Sequence, residues 1–188
     1  MTEVQPGKIK LASGEFLEGD AVVVAADATT AARLIPGLVT KEPDWRPVTG
    51  LYFAAGKSPL REAIIALNGT GRGLINNVCV LSDVAPAYAP PGKALISISV
   101  LGVAAIPHLE TKIIAELEPW FGPEVRGWRH LRTERIERAL PEQPPITGPL
   151  GPCFREIDGL FVCGDHLNST SIEGAIISGL RTADAVLG

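Results

Sequence analysis

The chain has 188 residues, 46% hydrophobic and 20% charged, enough apolar side chain for one ordinary domain or two small lobes. Its 17 lysines and arginines against 21 acidic residues leave a formal charge of −4, which provides no broad positive field for nucleic acid or anionic lipid. Cys79, Cys153 and Cys163 form no C-x-x-C pair, and His108, His130 and His166 lack the i, i+4 spacing of a helical metal site, so no metal motif is present.

No apolar run reaches the roughly 18 residues that span a bilayer, and MTEVQPGKIK lacks the apolar core of a signal peptide. The expectation is a soluble, cytoplasmic protein with its three thiols buried. At the start, KIKL and EFLEGD flank Ala12-Ser13-Gly14 and read as a short hairpin. The β-branched run from Ala21 to Ala26 predicts a strand buried on both faces of a partly parallel sheet. Asp27 then caps a helix from Thr29 to Leu34, which stops before Pro36-Gly37.

Between Trp45 and Gly102 the pattern turns β-rich, with VTGLYFAA, EAIIALNG, GLINNVCVL and KALISISVL separated by glycine and proline. This predicts a mostly antiparallel sheet. Leu109, Ile113, Leu117 and Phe121 recur at helical spacing, so residues 108 to 119 are expected to form a helix covering one face of it and ending near Gly122-Pro123. Residues 128 to 140 fit an exposed helix or an edge strand, with strand preferred; the interleaving of Arg132, Arg135 and Arg138 with Glu134 and Glu137 reads as a solvated, salt-bridged face. PEQPPITGPLGP, residues 141 to 152, holds five prolines and predicts a connecting loop.

GLFVCGDHLNSTSIEGAIISGLRTADAVL, residues 159 to 187, is the most informative stretch. A buried strand ends in Gly164-Asp165, and Thr170-Ser171-Ile172-Glu173 fits a capping box with Thr170 as the cap. Ile172, Ile176, Gly179, Ala183 and Val186 or Leu187 then follow a helical stripe, with Gly174 and Gly179 read as points of close backbone approach. A carboxylate at a strand end and the electropositive start of a helix form one crevice suited to a polyhydroxylated ligand with electron-rich carbonyls. Spacing alone leaves a second reading, in which Asp165 only satisfies loop amides. Among the other polar groups, His166 ranks first as a proton carrier because it adjoins this motif, while Ser171 has no base at recognisable spacing.

The whole string resembles the C-terminal flavin motif of the flavin-containing amine oxidase, protoporphyrinogen oxidase and phytoene desaturase superfamily: a strand ending in Gly-Asp, a short loop, then Ser-Ile-Glu-Gly-Ala and a helix containing Ser-Gly. GEFLEGDAVVVAADATTAARLIPG resembles the strand that returns to that family's FAD sheet before the substrate domain, and RALPEQPP resembles the piece leading back. The resemblance implies that Gly164, Asp165, Ser171, Ile172, Glu173, Gly174 and Ala175 contact FAD, Asp165 at its ribityl or pyrophosphate region and the helix start at the pyrimidine carbonyl. It also implies that Ala139, Leu140, Pro141 and His166 lie near the flavin ring. The fold class it implies is α+β: residues 45–150 as a substrate-binding domain of mostly antiparallel sheet with a covering helix, and residues 1–44 with 151–188 as strand and helix pieces of an FAD-binding α/β domain whose N-terminal Rossmann part is absent.

That part would carry G-x-G-x-x-G. The nearest stretch, Gly69-Thr70-Gly71-Arg72-Gly73, has Leu74 or Asn76 where a third glycine is needed and reads as a loop, and Pro91-Gly92-Lys93 has Ala87 in place of the first glycine of a phosphate loop. The functional expectation is therefore the substrate-binding and flavin-contacting part of an FAD-dependent oxidoreductase, inactive alone. The expected partners are an N-terminal FAD-binding half, or a second copy at the exposed seam, and an apolar small-molecule substrate, since no aromatic residue flanks His166, Leu167 and Asn168 to surround an amine. The alternative is a non-catalytic binding or assembly module on the same scaffold.

Overall fold

Alternating buried and half-buried side chains run from Thr49 to Ala55 and from Ala94 to Val100, and this period-two pattern forms the sheet at the centre of the middle segment. In the computed structural model, which describes residues 1–38, 44–142 and 152–188, these segments are β5 (Trp45–Ala55) and β8 (Ala94–Leu101), paired antiparallel with Leu51 opposite Ile98. With β6 (Ile65–Leu67), β7 (Ile75–Val80) and β9 (Arg129–Pro141) they make a five-stranded sheet in the order β6, β7, β8, β5, β9. The ambiguous 128–140 segment is thus an edge strand, the position at which its charged residues can stay in water. The two glycine-rich motif candidates fall in connections of this sheet, the first between β6 and β7. There Gly73 has φ +85°, and a Cβ on it would stand 2.3 Å from a Glu116 carboxylate oxygen, so the glycine serves a turn.

One face of this sheet is closed by α3 (Leu109–Phe121), whose Leu109, Ile113 and Leu117 pack with Phe53, Ile96, Ile98 and Val125 into a buried core. The helix ends at Phe121, at the expected Gly122-Pro123 stop, where Gly122 has φ +86°, and Pro119 lies in its last turn. Glu116 on α3 accepts from the amides of Leu74 (2.7 Å) and Ile75 (3.0 Å), and Thr49, fully buried, donates to the Gly102 carbonyl (2.8 Å) and accepts from the Ala104 amide (2.9 Å). These bonds satisfy turn groups that would otherwise be buried without partners. A short helix, α2 (Leu81–Val84), follows β7.

The chain folds as two compact units, Trp45–Ala139 and Met1–Asp44 with Leu140–Gly188. The sequence reading carries the middle domain to 150; the segment 143–151 lies outside the described residues, as does most of the connecting loop expected there. The second unit holds a small meander of β1 (Glu3–Gln5), β2 (Lys8–Lys10) and β3 (Phe16–Glu18), and a sheet ordered β10 (Phe154–Ile157), β11 (Leu160–Cys163), β4 (Val22–Val24). Strands β11 and β4 are parallel, with Phe161 opposite Val23. Asp27 accepts from the amides of Thr29 and Thr30 (3.1 Å each) and caps α1 (Ala28–Leu34), whose Ala31 and Leu34 pack with Val22, Val24, Leu160 and Val162.

Three expectations are corrected here. The strand over 21–26 is shorter and buried on one face only, because Val23 is 44% exposed while Val22 and Val24 pack against α1. A strand stands at Phe154–Ile157, where the sequence reading has none; it pairs with β11 through a two-residue turn, Asp158-Gly159, with φ +50° and +78°. Of the three thiols only Cys163 is buried; Cys79 and Cys153 are half-buried.

Candidate functional site

Parallel strands β4 and β11 put their C-terminal ends at the same edge of the sheet, and each is followed within a few residues by an aspartate, Asp27 and Asp165. Gly164 makes the exit from β11. Its φ of 157° with ψ 164° suits glycine, and a Cβ would stand 2.5 Å from the His166 ring. The Gly164 amide donates to Ser178 Oγ (2.9 Å) on α4 (Ile172–Leu187), and Ser178 donates in turn to the Cys153 carbonyl. Strand end and helix are thereby tied together. Asp165, His166 and Leu167 form a single 3-10 turn that packs on α4.

His166 is the buried member of this turn. Its side chain is 5% exposed, both ring nitrogens are buried without a hydrogen-bond partner, and Nδ1 is 4.0 Å from Asp165 Oδ1, whose own side chain is 34% exposed. Burial pushes the His166 pKa below its ordinary 6.5, against the pull of the Asp165 and Asp27 carboxylates, with Arg155 adding to the lowering. The ring is therefore held neutral near pH 7, with one nitrogen able to donate and the other to accept. Between the depressed folded value and the unfolded value near 6.5 the unfolded chain binds more protons, so this group's stabilisation is full above about pH 6.5 and declines as pH falls through that window. Urea unfolding of the unit containing β11 should show lower stability at pH 5 than at pH 7, and His166→Gln should reduce that difference.

The helix that follows is capped by Ser171, not Thr170: Ser171 Oγ accepts from the Gly174 amide at 2.9 Å. Glu173 consequently sits one position too early to complete a capping box. Gly174 is buried, and a Cβ there would lie 2.0 Å from the Ser169 carbonyl oxygen, so the loop folds back directly onto the helix. Gly179 is no close approach, since a Cβ on it would meet nothing within 4 Å. Ser171, Ile172, Glu173 and Ala175 are exposed, so the helix opening and the Asp165 carboxylate both face accessible space and neither is sealed in the core.

The stripe of α4 expected from sequence exists but is the outer face. The helix buries Gly174, Ser178 and Thr182 and leaves Ile172 83%, Ile176 58% and Leu180 63% exposed. Small and hydroxyl groups thus face its own sheet, where Thr182 donates to the Ser178 carbonyl (2.8 Å) and burial raises the Cys163 pKa despite the opposing effect of its side-chain contact with Thr182. Two participants escape the sequence reading, which makes Asp27 only a cap and Ser178 only part of a Ser-Gly pair. Their signals are the repeat of strand-then-aspartate and the i, i+4, i+8 spacing of Gly174, Ser178 and Thr182. Ala139, Leu140 and Pro141 close β9, with Pro141 buried and the other two exposed.

The sequence matches the family of flavin containing amine oxidoreductases over residues 2–187. The chain belongs to that family. An oxidoreductase of Methanosarcina mazei shares its fold at TM-score 0.63 and 20% identity, covering 91% of this chain and 44% of that one. A Pyrococcus furiosus protein does so at TM-score 0.67 and 14% identity, over 98% and 45%. Reduced UDP-galactopyranose mutase is similar at TM-score 0.54 and 15% identity, over 74% and 33%. The chain therefore spans less than half the length of these structures, and no curated protein matches it significantly.

The family's flavin is compatible with the residues present. An accessible carboxylate stands beside a buried ring with two unpaired nitrogens. Among the described residues no group of three His, Cys, Asp or Glu side chains could hold a metal ion, and no helix is long and apolar enough to cross a membrane.

Proposed function

We propose that these residues are the substrate-binding and C-terminal flavin-contacting part of an FAD-dependent oxidoreductase, completed by a dinucleotide-binding segment that covers α4. The observation that carries this reading is the orientation of α4, which turns hydroxyls and glycine inward and Ile172, Ile176 and Leu180 outward. A helix in water buries its apolar side; one that exposes it has a protein surface to meet. β4, the outer strand of its sheet among the described residues, leaves Val23 uncovered and an edge free to continue a parallel sheet. Coverage supports this choice of occupant: structures of the same fold are more than twice as long as this chain.

FAD, when bound, supplies the hydride acceptor for a substrate C–H bond. The chain's own groups then have separable tasks. Asp165 accepts from hydroxyls of the ligand's polyol chain, and the exposed first turn of α4 presents amides toward electron-rich carbonyls. His166, neutral and shielded from water, offers one donor and one acceptor without adding charge. The unit of residues 45–139 supplies the substrate-facing sheet, and an apolar substrate suits the lack of aromatic side chains beside His166. In the completed protein, Asp165→Asn should weaken FAD retention by about 10- to 100-fold, the equivalent of roughly 1.4–3 kcal/mol for one charge-assisted hydrogen bond. The unfolding of the chain itself should barely change, because the carboxylate is partly exposed. Unaltered FAD retention in that variant would remove Asp165 from the site.

A further inference from the structure

We propose that the sheet face opposite α3 carries a second ligand site, for a small amphipathic anion with an apolar body and a terminal carboxylate. A cavity of about 430 Å³, within the range of small-ligand pockets (about 300–1,000 Å³), lies where β5 ends and β8 and β9 begin. Ala55 and Ala94, which belong to the core on the α3 side, reach the cavity only at the strand ends, and strand alternation turns its other strand residues to the opposite face. Phe53 is buried beneath α3 with its ring 5.3 Å from that of His130, so Ala54 on β5 and Arg129 and Leu131 on β9 point away from the core. On β8, Ile96 is in the core and Leu95, opposite Ala54, faces the cavity. Ala54, Leu95 and Leu131 make an apolar floor, and Tyr88, from the turn before β8, forms a wall.

The polar groups are what select the ligand. Lys93 and Arg129 both line the cavity, no carboxylate does, and neither cation has an ion-pair partner among the described residues. Three arginines elsewhere do have carboxylate partners, Arg126 with Glu118, Arg132 with Glu134 and Arg181 with Asp184. Two uncompensated cations over an apolar floor complement a ligand that pairs one anionic group with a hydrophobic body, and Arg129 can bind a carboxylate through two donors. The site lies wholly within residues 54–131, about 30 Å along β5 from Trp45 at the usual strand rise, and does not depend on the flavin reading.

The test titrates the full chain with sodium 4-phenylbutyrate, 4-phenylbutyramide and inorganic phosphate, following backbone amide shifts. The acid should bind saturably, with the largest shifts at Ala54, Leu95 and Leu131, and the isosteric amide about tenfold or more weaker. Phosphate should not displace the acid at equal concentration. In the Lys93→Gln, Arg129→Gln double variant the acid should lose at least about tenfold in affinity, and both side chains are exposed, so the fold should persist. Equal binding of acid and amide, displacement by phosphate, an unaffected double variant, or shifts centred elsewhere would each overturn the assignment.

Discussion

Replacing Gly174 with alanine is expected to destabilise the unit built on β4, β10 and β11 by about 1–3 kcal/mol, the range for overpacking a site that cannot relax freely. Inside a helix this substitution ordinarily stabilises, by roughly 1 kcal/mol, because glycine is the more flexible residue when unfolded. At this position the sign reverses. The new methyl would stand 2.0 Å from the Ser169 carbonyl oxygen, and the obstacle is backbone, not the tip of a flexible side chain. Either the loop from Asn168 to Ser171 moves or the Ser171 cap on the Gly174 amide is lost, and both outcomes displace the turn that bears Asp165 and His166. Gly179→Ala on the same helix is the control: with nothing within 4 Å of its Cβ, it should stabilise by up to about 1 kcal/mol. Chemical denaturation of the two variants measures both signs, and destabilisation by each of them would show that close approach at Gly174 is not the cause.

The largest effect on assembly should come from Ile176→Glu combined with Leu180→Glu. Both side chains are mostly exposed, and glutamate is a good helix former, so the stability of the chain itself should change by no more than about 0.5 kcal/mol per site. If α4 is covered in the completed enzyme, the same changes bury two carboxylates without partners, each costing several kcal/mol unless it takes up a proton. Loss of association with the dinucleotide-binding segment by at least about 100-fold is expected, measured by co-purification and by titration of the separate pieces. Unchanged association would mean that the apolar stripe faces something else.

The fold is most legible where a residue's partners lie within the chain. The alternation of β5 and β8 and the Leu109, Ile113, Leu117 stripe of α3 close on one another, and pattern alone locates them. Strand β10 is also legible, since Asp158-Gly159 is a strong signal for a two-residue hairpin, but the preceding proline-rich stretch draws attention away from Phe154–Ile157. The helix cap is ambiguous in sequence because Thr170 and Ser171 offer the same oxygen. The choice falls to Ser171 because Gly174, three residues on, lets the loop reach its amide. What pattern does not reveal is which side of α4 is buried. The apolar stripe is the ordinary mark of a core face, and here hydroxyls and glycine take that place because they meet Gly164, Cys153 and Cys163 at close range.

His166 illustrates the same limit at the candidate site. Its adjacency to Asp165 is plain in the sequence, whereas its burial and the approach of Asp27 require the parallel pairing of β4 and β11, which brings residues more than a hundred positions apart to one edge.

The most direct measurement is an FAD titration, followed by absorbance and flavin fluorescence, of this chain alone and of the same chain joined to a dinucleotide-binding segment bearing G-x-G-x-x-G. The account predicts no saturable binding at micromolar FAD for the chain alone and stoichiometric, retained flavin for the joined protein. Sub-micromolar affinity in the chain alone, or a joined and folded protein that stays colourless, would contradict it.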